Sequence, residues 1–327
     1  MSAPYPWQKK QWNQLKQQVS DDKLPHALLL CGPPGLGKGA FARGLAKLLL
    51  CAQAGESQRA CGHCRQCRLF GADTHPDYYQ VSREGSAQRI LVDQIRALNE
   101  FMVLSRQYGH YKIGLISGAE TLNRNAANSL LKTLEEPPPG AIVLLVSSEP
   151  MKMPATVRSR CQRINFITPS RADGIAWLAK QIPESNNALL ISLCHGQPLC
   201  AKAFVRGDLL QTRQSVFAGL NQFIGGGVSA VELAKRWEKI EFTQLLDWLI
   251  SWLIDSLRLS YNANATRLDN PDFYPELDRI SNRMNIRSLY GILDEMLEYK
   301  RLAGTSLNHR LRLEDIVLAW SAQCQKP

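Results

Sequence analysis

The chain has 327 residues, 39 of them basic and 29 acidic, for a formal charge of +10. At about 150 residues per domain, this length holds two or three domains. Hydrophobic residues make up 45% and charged residues 21%, which excludes wholesale disorder. No apolar run approaches the roughly 18 to 20 residues that a membrane span needs. The opening MSAPYPWQKKQWNQLKQQ lacks the charged-then-apolar order of a secretory signal. Nine cysteines, an odd number unevenly spread, therefore point to a reducing cytoplasm, where clustered thiols hold metal rather than pair. Residues 1–207 carry 25 basic and 14 acidic side chains, and residues 208–327 carry 14 and 15. A basic front is expected to meet phosphate, of nucleotide or nucleic acid, although ordinary solubility accounts for such a charge equally well.

The first strong pattern is the apolar run Ala27 to Cys31, a buried strand that ends in a Gly/Pro turn. Phe41, Leu45, Leu48 and Leu49 then recur on one helical face as far as about Cys51. A Cys-rich insert to about Leu69 precedes a short strand at Tyr78 to Val81 and a helix from Val92 to Leu104. Ile113 to Ile116 reads as a buried strand. Asn125 to Glu136 reads as a helix stopped by Pro137, Pro138 and Pro139. Ala141 to Val146 is the next buried strand and Ile164 to Phe166 a short edge strand. Strands alternating with helices predict an α/β unit with a mostly parallel sheet.

After Thr168-Pro169 the strand signals stop. Three short helices are expected within 170–207, at Ile175 to Ile182, Ala188 to Cys194 and Leu199 to Val205. From Asp208 the pattern is helical, broken at Gly225-Gly226-Gly227 and over a polar stretch from Tyr261 to Asp272. Domain edges are thus expected near 167 and 208. Leu245, Leu246, Leu249, Trp252 and Leu253 form a stripe wider than one partner helix needs. It is either the core of a bundle or that core plus a subunit interface.

Gly32-Pro-Pro-Gly35-Leu-Gly37-Lys38-Gly39 lies between the strand and the helix. In that setting glycines let backbone N–H groups converge on phosphate oxygens, the helix N-terminus adds positive charge, and Lys38 reaches the terminal phosphates. A metal-holding loop has Ser or Thr after the lysine, and this chain has Gly39 and then Ala40. The strand that would end in Asp to hold the Mg²⁺-bound water ends here in Ser117-Gly118-Ala119-Glu120. Glu120 lies three residues too far along. Two such losses predict a loop that keeps its cradle and does not hydrolyse ATP.

Cys51, Cys61, Cys64 and Cys67 contain two overlapping Cys-x2-Cys turns, and a fourth thiolate ends the preceding helix. This spacing predicts one closed, tetrahedral structural Zn²⁺ site, its charge of −2 offset by Arg59, Arg65 and Arg68. His63 could replace one of the cysteines. An iron–sulfur run would place a fourth Cys three residues beyond the third, where this chain has Gly71. Cys31, Cys161, Cys194, Cys200 and Cys324 read as small buried hydrophobes or inert thiols.

The loop GPPGLGKG, the Cys cluster after its helix, AANSLLKTLEEPPP and then Ser159-Arg160-Cys161 together resemble a bacterial sliding-clamp loader of the AAA+ family. The resemblance is dense over residues 25–166 and architectural thereafter. It implies a RecA-like core with a parallel sheet and zinc module (1–166), a small helical lid (167–207) and a helical collar (208–327) that joins five subunits in a ring. It also implies that Arg160, flanked by Ser159 and Cys161, is the arginine finger given in trans to the adjacent subunit's ATP, with Arg158 the nearest competitor.

Within that family, the defects at Gly39 and Ser117-Gly118 resemble a non-hydrolysing subunit of the DNA polymerase III loader. They do not suit its gamma/tau motor, which also carries an arginine where this chain has Gly196-Gln-Pro-Leu199. The implied partners are motor and delta subunits, and through them the sliding clamp and primer–template DNA. Gly32, Gly35, Gly37 and Lys38 leave binding of ATP or ADP without hydrolysis open. An autonomous ATP-driven motor would need the missing metal ligands. A zinc-finger DNA reader would need a recognition helix that this short insert lacks.

Overall fold

The computed structural model describes the chain apart from residues 1–3, 55–58, 85–88, 184, 207, 262–267, 303–308 and 325–327. Side chains at 206, 309–310 and 321–324 are also outside the description, Cys324 among them. The chain divides into two compact units, Met1–Pro169 and Ser170–Pro327.

The first unit runs α1 (Lys9–Ser20), β1 (Ala27–Cys31), α2 (Lys38–Leu50), α3 (Arg65–Gly71), β2 (Tyr78–Val81), α4 (Val92–Val103), β3 (Lys112–Ser117), α5 (Arg124–Glu135), β4 (Ala141–Ser147), α6 (Ala155–Arg158) and β5 (Gln162–Asn165). Its five strands lie in the order β2-β3-β4-β1-β5, all pairs parallel. This is the α/β unit with a parallel sheet that the sequence led us to expect. Parallel strands covered on both faces need apolar side chains at successive positions, which is why β1, β3 and β4 read as uninterrupted runs. Alternation sends Leu28 and Leu30 into a core with α1 and α2, while Leu29 and Cys31 enter the opposite core with α4 and α5. Because the strands are parallel, the loops leaving β1, β3 and β4 gather at one sheet edge, where ligands meet such sheets.

Two elements differ from expectation. α1 was not legible, and β5 begins at Gln162, two residues before the expected edge strand. β5 does lie at the edge, beside β1.

The second unit is all helical: α7 (Arg171–Ala179), α8 (Asn187–Leu193), α9 (Pro198–Arg206), α10 (Leu209–Ile224), α11 (Ala230–Trp237), α12 (Phe242–Ser260), α13 (Tyr274–Arg283), α14 (Ile286–Arg301) and α15 (His309–Cys324). Several helix starts are set by side chains that accept a first-turn N–H: Ser170 for α7, Asn186 for α8, Ser229 for α11, Glu241 for α12 and Asn285 for α14. One apolar core runs from Leu178 on α7 to Trp320 on α15, so packing is continuous across position 207. Leu245, Leu246, Leu249, Trp252 and Leu253 are each fully buried in it. The stripe on α12 is therefore bundle core, and a subunit interface along it is excluded. Among the described residues no single helix is long and apolar enough to cross a membrane.

A buried polar knot ties α12 to the segment that follows it. Asp255, fully buried, accepts from Arg258 Nη1 (2.9 Å), Asp269 N (3.1 Å), Asn270 N (2.7 Å) and Asn270 Nδ2 (2.8 Å). Arg213 from α10, also fully buried, reaches Asn270 Oδ1 (2.7 Å) and Asp272 Oδ2 (2.6 Å) and lies 4.2 Å over the Phe273 ring. Removing one member of such a network strands its partners without hydrogen bonds. Asp255→Ala in the full chain is expected to cost about 3–5 kcal/mol, read as a lower urea midpoint for the helical unit. A loss below about 1 kcal/mol would show that the knot does not hold the unit together.

Candidate functional site

The glycine loop after β1 is built by steric demand at its first residue. At Gly32 (φ +147°) a Cβ would lie 2.2 Å from the carbonyl oxygen of Phe166, so only glycine lets the chain leave β1 beside the end of β5. Gly35 and Gly37 have φ of +68° and +80°, left-handed conformations that cost glycine least. α2 begins at Lys38, so its first N–H groups and positive dipole end face the loop. From outside, Trp7 Nε1 and Gln8 Nε2 both donate to Leu36 O, at 3.0 and 2.8 Å. These two residues carry no apolar periodicity, so nothing in the sequence marks them as a brace for the loop.

Lys38 is 5% exposed. Its Nζ donates to Gly32 O (2.6 Å), Pro33 O (2.6 Å) and Ser148 Oγ (3.2 Å). An ammonium has three donors, and all three are taken by the protein. Burial pulls the Lys38 pKa down, and the charge of Glu120 opposes that shift.

Glu120 does lie past the end of β3, in a single 3₁₀ turn (Ala119–Thr121). Its carboxylate turns back, however, and Oε1 accepts from Ser148 N at 3.2 Å. No carboxylate ends β3 itself, where Ser117 gives way to Gly118 in a left-handed turn. At Gly39 a Cβ would meet nothing within 4 Å, so sterics do not account for the missing hydroxyl.

Ser159, Arg160 and Cys161 form the turn between α6 and β5. Ser159 Oγ donates to Thr156 O (3.1 Å) and Cys161 Sγ to Val157 O (3.3 Å), so both flanking side chains fasten the turn to α6. Burial, with Cys31 beside it, pushes the Cys161 thiol up to about 12, which leaves it no nucleophile near neutral pH. Arg160 is exposed. Its Nη1 donates to Thr156 O (2.9 Å), and its Nη2 meets Glu135 Oε1 at 2.6 Å, at the end of α5. Arg158 is half-buried, with Nη1 turned to Met151 Sδ at 2.9 Å.

The four cysteines converge. The Sγ atoms of Cys51, Cys61, Cys64 and Cys67 all lie within 4.8 Å of one another, with Cys51 and Cys64 at 3.9 Å. Tetrahedral zinc with Zn–S of about 2.3 Å needs sulfurs about 3.8 Å apart, so the set fits the ion. Backbone N–H groups already point at the sulfurs: Cys61 N to Cys51 (3.3 Å), Cys64 N to Cys61 (3.3 Å) and Cys67 N to Cys64 (3.4 Å). His63 is exposed and its Nδ1 meets Cys61 O at 3.0 Å, which leaves it outside the cluster. Arg65 lies over the Tyr108 ring (5.4 Å) and Arg68 donates to His63 O (3.0 Å). The module is anchored through Phe70, fully buried in the core beneath α2.

Two family models match the chain: "DNA polymerase III, delta subunit" over residues 7–170 and "DNA polymerase III, delta subunit, C terminal" over residues 207–322. DNA polymerase III subunit delta′ of Pseudomonas aeruginosa is 34% identical over 327 residues, 98% of each chain. The subunit of the same name from Escherichia coli K12 is 32% identical, covering 96% of this chain and 94% of that one. That of Bacillus subtilis is 37% identical over 152 residues, 46% of this chain and 45% of that one. With a parallel-stranded α/β core and likeness along nearly the whole length, the chain belongs to the DNA polymerase III delta′-subunit family.

Proposed function

We propose that this chain is the non-hydrolysing member of its clamp loader, and that it presents Arg160 in trans to the ATP of an adjacent gamma/tau motor subunit. With motor and delta subunits it completes a five-membered cytoplasmic ring that places the sliding clamp on primer–template DNA. The observation that carries this reading is the contrast between two cations. Lys38 is buried with every donor taken, beside positions 39 and 117–118 that lack the hydroxyl and carboxylate a Mg²⁺ would need. Arg160 stands exposed, held by a carboxylate that is itself exposed.

A permanently charged, planar guanidinium suits the γ-phosphate, where charge develops in the transition state. An ion pair this open to solvent is worth about 0–1 kcal/mol, so Arg160 can exchange Glu135 for phosphate at little cost. ATP or ADP bound to the loop of this chain would have to take Lys38 from the Gly32 and Pro33 carbonyls. Within the chain we assign 1–166 to the core, 167–207 to a lid and 208–327 to a collar. Cys51, Cys61, Cys64 and Cys67 would hold one Zn²⁺. Closed four-thiolate coordination has no open position for water, so its contribution is folding rather than chemistry.

Two measurements follow. Arg160→Ala in a reconstituted ring is expected to lower clamp- and DNA-stimulated ATPase by at least about tenfold. That is less than the 10³ to 10⁵ of a lone GTPase finger, because several sites share the ring. Arg158→Ala beside it retains most of the rate. Full activity of an assembled Arg160→Ala ring would refute the finger.

For the metal, elemental analysis of native protein is expected to give about one zinc per chain. Cys64→Ser should lower that content and drop the melting temperature by at least about 4 °C, since each kcal/mol lost moves a unit of this size by about 2–4 °C. Iron, or far less than one zinc, would overturn the assignment.

A further inference from the structure

A second sulfur pair lies in the helical unit, away from the zinc cluster. Cys194 follows the last residue of α8, and Cys200 is the third residue of α9. Between them the chain bends by 112°, with His195 and Gly196 in left-handed backbone (φ +47° and +79°). The turn is closed by Gln197 N donating to Cys194 O at 2.8 Å and Gly196 N to Ile191 O at 2.8 Å. This brings the two Sγ atoms to 2.7 Å, where Cys200 Sγ donates to Cys194 Sγ. Cys194 is 2% exposed and Cys200 half-buried, so Cys200 is the more open of the two. A disulfide bond is about 2.05 Å long, so bonding needs an approach of only about 0.7 Å. Among the described residues, neither cysteine belongs to a metal-ligand cluster.

We propose that Cys194 and Cys200 form a reversible thiol–disulfide site that reacts with small-molecule disulfides. Cys200 attacks as the thiolate: once it loses its proton, it accepts from the Cys194 thiol instead of donating to it, which lowers its pKa against burial and the charge of Asp247 and, with burial, holds the Cys194 thiol up. Asp247 is itself paired with Lys300 at 2.6 Å.

With oxidised glutathione, the Cys200 thiolate bonds to one glutathione sulfur and the other leaves as a thiolate. Cys194 then gives up its proton to solvent and attacks the Cys200 sulfur, expelling the second glutathione. Two protein thiols are oxidised to one cystine and one glutathione disulfide is reduced to two thiols. The bond spans the α8–α9 bend. In a reducing compartment it stays open, and it closes as the thiol pool becomes oxidised.

The test uses the full chain, with zinc added to cover the four-cysteine cluster, incubated with oxidised glutathione, alkylated and mapped by peptide mass spectrometry. The expected result is a Cys194–Cys200 linked peptide, the loss of two alkylatable thiols, and recovery of both with dithiothreitol. Cys194→Ser, with Cys194→Ala as a second variant at this buried position, should stop at a glutathione adduct on Cys200. Wild-type protein in which both cysteines remain alkylatable would overturn the proposal. So would linkage of either one to Cys51, Cys61, Cys64 or Cys67, or folded variants with no adduct on Cys200.

Discussion

A buried ammonium is the constraint around which the first unit is arranged. Lys38 has left water, and a buried cation is tolerable only when its donors are matched. The Gly32 and Pro33 carbonyls supply two acceptors because Gly32 is forced against Phe166 O, where no Cβ fits. Ser148 supplies the third from the end of β4, and Glu120 sits behind it with its carboxylate on Ser148 N. The N-terminal segment closes the other side through Trp7 and Gln8 on Leu36 O. The ends of four neighbouring strands, β3, β4, β1 and β5, and the segment before α1 are thus committed to one loop. What a phosphate would ordinarily provide to the lysine, the protein provides itself.

That arrangement separates two properties that a motor subunit combines. The cradle survives, because its glycines are needed for the chain to leave β1 whether or not phosphate arrives. The groups that would hold a metal have no such structural duty, and their positions are occupied by Gly39 and Ser117-Gly118. Space does not exclude a side chain at 39, which would meet nothing within 4 Å. Meanwhile the turn after α6 is fixed by its Ser159 and Cys161 neighbours while Arg160 itself remains outside. An exposed guanidinium on a turn fastened by its neighbours is what the proposed action on a neighbour's nucleotide would use.

Much of this was legible in the sequence. β1, β3 and β4 announce themselves as apolar runs because both faces of a parallel sheet are covered, and the loop's glycines and the Cys-x2-Cys spacing carry their chemistry in their spacing. α1 was not legible, because its segment faces the core partly through amides: Gln8, just before the helix, and Gln11 within it are buried and donate to Leu36 O and Asn165 O. Apolar periodicity cannot register a buried glutamine. The α12 stripe was ambiguous because sequence counts apolar residues without saying what covers them, and the bundle covers all five. Arg160 with Glu135, and Cys194 with Cys200, are pairings set by turns and packing. Read singly, the two cysteines looked inert.

The central claim is that this chain cannot turn over ATP, and steady-state ATP hydrolysis by the highly purified chain tests it most directly. Wild-type protein is predicted to show no rate above background. Gly39→Ser, which has room for the added hydroxyl, is predicted to show none either, because no carboxylate ends β3 to complete the metal site. Steady turnover by the wild-type chain that disappears in Lys38→Ala would contradict the account.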